Sequence, residues 1–165
     1  MKSVLISIQP KWCELIASGK KTVEVRKTKP KIATPFKVYI YQTLHREFNG
    51  RTHSDGKVIG EFVCDKITCF TTDYRCNAEM VRKISEESCI CIWDLSEYEG
   101  NSNCLWAWHI SDLIIYDKPK PLSDFIRCKY PWDCGVCDYW DSLCLTCNKP
   151  IRPPQSWCYV EEHNG

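Results

Sequence analysis

Gly19-Lys20-Lys21-Thr22-Val23-Glu24-Val25-Arg26 is the stretch on which the reading of this chain turns. Gly19 can adopt the left-handed backbone that ends a helix, and an amphipathic strand follows at once. Thr22, Glu24 and Arg26 alternate with Val23 and Val25, so opposite charges stand two residues apart on one strand face. Upstream, Trp12, Leu15 and Ile16 are spaced as one apolar helix face, with Pro10 at the helix start where its missing N–H costs nothing. Before that helix, Val4, Ile6 and Ile8 alternate with Ser3, Leu5 and Ser7, a strand over residues 3–9.

Downstream, residues 27–35 form a basic loop holding Pro30 and Pro35, and Phe36 to Gln42 is a strongly β-prone run. Residues 44–56 read as a polar exposed loop with His45 and His53. Lys57 to Phe70 is a long strand in which Gly60 predicts a bend or bulge. Asn77 can cap a helix over Ala78 to Glu87, with Met80, Val81 and Ile84 inward, and Leu95 to Tyr98 predicts a short helical turn. Leu105 to Tyr116 is β again, ended by Pro119 and Pro121, and Pro121 to Phe125 is a short helical or turn connector. Pro153-Pro154-Gln155-Ser156-Trp157-Cys158-Tyr159-Val160 supplies the last strand. The pattern is α+β, mainly β: a small barrel with capping helices, in which residues 1–165 form one domain.

A chain of 165 residues with 44% hydrophobic and 26% charged side chains can bury a core, which excludes wholesale disorder. The net charge of +1 excludes a blanket of positive charge but not a local basic site. No stretch approaches the roughly 20 apolar residues of a membrane span, and the N-terminal apolar run is too short for a signal peptide. A cytoplasmic location is therefore expected, and the 13 cysteines, an odd count, argue for thiols and metal ligands over disulfides.

Residues 128–150 differ in composition, with five cysteines and few aliphatic residues, and read as an insertion before the last strand. Cys134, Cys137, Cys144 and Cys147 form C-x2-C-x6-C-x2-C, and four thiolates can close a tetrahedron about a structural zinc ion. Cys128 is a fifth thiol that can replace one ligand, and free thiols in an aromatic flap are the plain alternative.

The octapeptide also resembles the G-x-K-x-x-E-x-R signature of the ASCH superfamily, whose members have PUA-like folds. Gln9-Pro10-Lys11-Trp12, Gly56 to Phe62, Ala107 to Leu113 and Pro153 to Val160 are similar to segments of small ASCH proteins of bacteria and their prophages. The resemblance covers roughly residues 3–126 and 152–162, and it implies a PUA-like β-barrel with a cleft beside the signature strand. Family members are linked to RNA binding; some resemble N4-acetylcytidine amidohydrolases and some are reported as ribonucleases. In the amidohydrolase branch the signature lysine is matched by Lys21, but the threonine taken as nucleophile falls at Glu24. Without that hydroxyl a threonine mechanism cannot run there. Thr22 would be a shifted hydroxyl, and the acidic partner is one of Glu79, Glu86, Glu87 and Glu97.

Lys20, Lys21, Arg26, Lys27, Lys29 and Lys31 place six cations in twelve residues, against Glu24 alone. The bland reading is a solvated loop with an exposed ion pair worth under about 1 kcal/mol. The functional reading is a cleft for RNA or a modified nucleotide. In it Lys20, Lys21, Arg26 and Lys27 hold a phosphate or a base carbonyl, and Glu24 orients them or accepts from a base amino group. Trp157, after Ser156 at a strand entrance, is the stacking candidate, while Trp12 reads as core. His109 reads as a structural histidine. If the protein is an enzyme, Lys21 and Glu24 are its catalytic pair; if not, the cleft binds without turnover.

Overall fold

A computed structural model of the protein describes residues 3–44, 56–127 and 153–162. Seven strands and three helices follow in the order β1 (Ser3–Ile8), α1 (Pro10–Ala17), β2 (Val23–Arg26), β3 (Phe36–Gln42), β4 (Val58–Phe70), α2 (Tyr74–Ser88), α3 (Ile92–Glu99), β5 (Leu105–Lys120), β6 (Phe125–Arg127) and β7 (Trp157–Glu162). The strands form one sheet in the order β2-β5-β4-β3-β1-β7-β6, antiparallel except for the β1–β3 pair. The fold is thus α+β with strands dominant, as its alternating segments predict.

The sheet curls without closing. In ladder order β2 is four strands away from β1, yet Arg26 on β2 donates a hydrogen bond to the Ser7 carbonyl on β1 at 2.6 Å. Thr28, just beyond β2, accepts the Trp157 indole N–H from β7 at 3.0 Å. The edge strand β2 therefore folds back towards β1 and β7, but no β2–β6 ladder forms among the described residues. The expected barrel is realised as this incompletely closed sheet.

Period-two alternation decides where each side chain goes. Val4, Ile6 and Ile8 of β1, Val38 and Ile40 of β3, Phe62 and Cys64 of β4 and Trp108 of β5 fill the concave face, with Cys13 and Ile16 of α1 packed against them. Each fully buried large apolar side chain there contributes about 1.5–3 kcal/mol before ordering entropy is subtracted. Outside the curl, Val23 and Val25 of β2 meet Leu105 and Ala107 of β5 under Val81 and Ile84 of α2 and Leu95 of α3. Leu5, Tyr39, Tyr41, Val58, Cys158, Val160 and Phe125 make a third cluster on the outer flank.

Local signals mostly act where they stand. Pro10 opens α1, and Gly19, at φ +73°, turns the chain out of it. Gly60 sits at a register shift of both neighbouring ladders, where a Cβ would press into the Ile114 backbone carbonyl. Asn77 does cap a helix, its Oδ1 accepting the Met80 N–H at 3.0 Å, but α2 already begins at Tyr74 under an Asp73 cap and bends at Asn77. One expectation is corrected. β5 passes through Pro119 to Lys120, because Pro119 lies where the β4–β5 register shifts and the ladder does not call on its N–H. β6, three residues long, carries no pattern of its own and forms by pairing with β7. No helix among the described residues is long and apolar enough to cross a membrane. His45, His53 and the cysteine-rich segment 128–150 lie outside the described residues.

Candidate functional site

The signature strand is anchored at both ends. The Lys21 N–H donates to the Leu15 carbonyl at 3.0 Å and the Thr22 N–H to the Glu87 carbonyl at 2.8 Å, which fixes the exit from α1 against the end of α2. From there β2 pairs with β5, Glu24 opposite Trp108 and Arg26 opposite Trp106. Val23 and Val25 face the helices, so Glu24 and Arg26 face the concave side.

Lys21, only 1% exposed, points its ammonium at the C-terminus of α2. Its Nζ donates to the Ser88 carbonyl at 2.7 Å, stands 3.3 Å from Glu24 Oε2, and lies 5.1 Å above the centre of the Trp12 ring. A cation at a helix C-terminus meets unpaired carbonyls and the negative end of the dipole. Glu24 Oε1 is 3.0 Å from Arg26 Nη2, and that same Nη2 donates to Ser7. Ser7 in turn donates its N–H to the Ser156 carbonyl at 2.9 Å and its hydroxyl to the Pro154 carbonyl at 2.6 Å. The trio Lys21–Glu24–Arg26 is thereby tied to the entrance of β7. Trp157 stands beside it, its ring 6.0 Å from Trp108 and 5.4 Å from Tyr159.

Burial governs the electrostatics. It pulls the Lys21 ammonium below the ordinary lysine range, with Glu24 opposing. Burial also pushes the Cys13 thiol up to about 12, and the charges of Glu24 and Glu14 push the same way. Cys13 is therefore a protonated thiol beside the trio, donating to the Ile8 carbonyl at 3.6 Å.

The predicted residues divide. Lys21, Glu24 and Arg26 come together, with Ser156 and Trp157 alongside. Lys20 is exposed and contributes to the fold a carbonyl that accepts from the Cys89 thiol at 3.4 Å. Lys27 leaves for the helical side, its Nζ 5.2 Å over the Tyr98 ring of α3. Thr22 is exposed at the strand entrance and does not join the trio. Of the four acidic candidates, Glu79, Glu86 and Glu97 are exposed, and Glu87 pairs with Lys83 at 3.9 Å and adds its charge at His109. The carboxylate at Lys21 is Glu24 itself. His109 lies on the helical side, within 3.0 Å of Thr68 Oγ1, and burial, with Lys66 adding to it, holds its imidazole below the ordinary range.

Sequence reasoning missed three participants. Ser7 has a polar signal, one of two serines, with Ser3, on an otherwise apolar strand. Ser88 acts through its backbone carbonyl, which no residue type announces. Trp12 is half-buried with cations over its ring, Lys11 at 4.4 Å as well as Lys21, and is not simply core. Among the described residues no three His, Cys, Asp or Glu side chains gather as a metal site. The zinc expectation at Cys134, Cys137, Cys144 and Cys147 lies outside them.

Comparison with solved structures finds an ASCH protein from Zymomonas mobilis at 21% identity and TM-score 0.65, covering 96% of this chain and 87% of that one. A tyrosine-to-phenylalanine variant of that protein matches at 20% identity and TM-score 0.66, over 99% of this chain and 93% of that one. A serine-to-alanine variant matches at 19% and 0.65, over 98% and 89%. At these identities the likeness speaks for the fold, a PUA-like arrangement. A search of curated proteins returns no match. The ASCH domain family matches residues 6–120, which hold Lys21, Glu24 and Arg26 and the strands β2 to β5. This chain belongs to the ASCH domain family.

Proposed function

We propose that this protein binds RNA, or a modified nucleotide, beside β2. The observation that carries the reading is the trio itself. Two cations and one carboxylate are held at 1%, 12% and 9% side-chain exposure, an arrangement whose desolvation cost a fold does not need for stability. Beside it the lysines of the basic loop are exposed, and Lys29 lies 4.4 Å over the ring of Trp106, the ladder partner of Arg26. Such surfaces offer phosphate contacts and stacking faces together. Membership of the ASCH family supports a nucleic-acid-related role.

The test is binding of a short single-stranded RNA across a salt series. Affinity falls with salt, and Arg26→Ala weakens it at every salt concentration. Binding unmoved by salt and by Arg26→Ala removes this site from consideration.

A hydrolase is the second reading, favoured by the depressed Lys21 pKa, the property of a lysine that serves as a base. Lys21 is nevertheless enclosed and already donates to Ser88 and Glu24. Little or no turnover of N4-acetylcytidine or RNA is therefore expected; efficient deacetylation abolished by Lys21→Ala in folded protein would reverse the preference. We further propose one structural zinc on Cys134, Cys137, Cys144 and Cys147, checked by elemental analysis after metal-replete expression.

A further inference from the structure

Two buried donors beside the trio have no hydrogen-bond partner among the described residues: Arg26 Nε and Trp108 Nε1. Trp108 is fully buried, and it stands opposite Glu24 in the β2–β5 ladder, so Glu24, Arg26 and Trp108 share one sheet face within two register positions. An unpaired buried donor costs about 1–3 kcal/mol, and two on one face are a standing demand for an acceptor.

The rest of the trio narrows which acceptor. Glu24 has one oxygen on Lys21 and the other on Arg26, so its carboxylate is already engaged on both sides. A base amino group at Glu24 would have to share an oxygen that already faces Lys21 or Arg26. With Lys21 protonated, two cations face one carboxylate, leaving one positive charge without a partner in the trio. A water between the two donors would add two hydrogens needing acceptors of their own; an anionic oxygen adds none and supplies the missing negative charge.

We infer that Arg26 Nε and Trp108 Nε1 form a donor pair that takes an anionic oxygen of a nucleotide phosphate, making Trp108 a binding residue as well as a core residue. The inference rests on the proposed nucleotide-binding role and deepens it: the phosphate, not the base edge, enters the buried part of the site. Arg26, 12% exposed, is the side of the pair nearest solvent, and Lys29 lies over the ring of Trp106, the ladder partner of Arg26.

The experiment follows the indole and guanidinium N–H signals of nitrogen-15-labelled full-length protein during titration with cytidine 5′-monophosphate, cytidine and inorganic phosphate. Trp108→Phe assigns the indole signal. The expected result is that the nucleotide moves the Trp108 Nε1–H and Arg26 Nε–H signals together. Inorganic phosphate should move them in the same sense at higher concentration, and cytidine should leave them in place. Trp108→Phe should weaken nucleotide binding about tenfold, the effect of losing one hydrogen bond to a charged group. Arg26→Lys keeps the charge and removes the Nε–H, and it should weaken binding comparably, which guards against a core defect in Trp108→Phe. Cytidine moving both signals as far as the nucleotide would overturn the inference in favour of a base carbonyl. Signals that stay fixed while single-stranded RNA still binds with salt dependence would overturn it and leave the broader RNA-binding proposal standing. Signals that stay fixed with no RNA binding would defeat both.

Discussion

Two lysine–glutamate pairs in this protein look alike on paper and behave differently in place. Lys37 and Glu61, on the adjacent strands β3 and β4, approach to 2.7 Å with 42% and 15% of their side chains exposed. Lys21 and Glu24 approach only to 3.3 Å, but at 1% and 9%. The shorter pair is the more screened one, because Lys37 is open to water and can return to solvent. Neither member of the buried pair has that exit. For Glu61, burial alone raises the pKa, but hydrogen bonds from Lys37 and Tyr116 outweigh it and hold the carboxyl below the ordinary range. Environment, not separation, sets what such a pair contributes.

The comparison breaks most readily at Lys21. Lys21→Ala strands the buried Glu24 on Arg26 alone and should cost about 3–5 kcal/mol in urea unfolding. A loss under about 1 kcal/mol would mean that Glu24 finds water once the lysine is gone. Replacing both partners, Lys21→Met with Glu24→Leu, should recover most of that loss while leaving RNA affinity low. Recovered stability with undiminished affinity would detach the pair from the proposed site.

Alkaline pH gives a smaller effect. Cys13 and Cys64 are both held up to about 12, Cys13 by burial and then Glu24, Cys64 by burial and then Asp65. A raised folded pKa stabilises fully below the unfolded value of 9.0, and that contribution is lost as pH rises towards about 12. Stability should therefore decline from pH 9.0 upward, and Cys13→Ala with Cys64→Ala should flatten the decline. Lys21 acts with the opposite sign: its folded pKa lies below 10.5, so between the two values stability rises with pH. A steeper alkaline decline in folded Lys21→Met would confirm that opposition, and an unchanged slope would refute it. Smallest is Lys37→Ala, expected to cost under about 1 kcal/mol and less at high salt, by the same urea measurement.

Much of this was legible because the signals are backbone signals. Gly19 and Pro10 mark the limits of α1, and β propensity locates β3 over all of Phe36 to Gln42. Gly60 marks a bulge that only a residue without Cβ fits. The strand face of Glu24 and Arg26 follows from period two. What escaped has no local carrier. β6 exists by virtue of β7, and Ser88 serves Lys21 through a carbonyl that any residue would own. Trp93, one of seven tryptophans, is 85% exposed, which no local signal marks.

Composition and spacing alone specify a strand-rich fold with a charged signature strand leaving a glycine-ended helix, since propensity, alternation and glycine geometry act within a few residues. They do not separate Lys20 from Lys21, adjacent and chemically identical, one exposed and the other 1% exposed. That difference arises only when α2 brings the Ser88 carbonyl to the end of β2, and when the sheet curls far enough for Arg26 to reach Ser7. Burial and charge pairing are sums over partners distant in sequence, so the tertiary structure alone decides them.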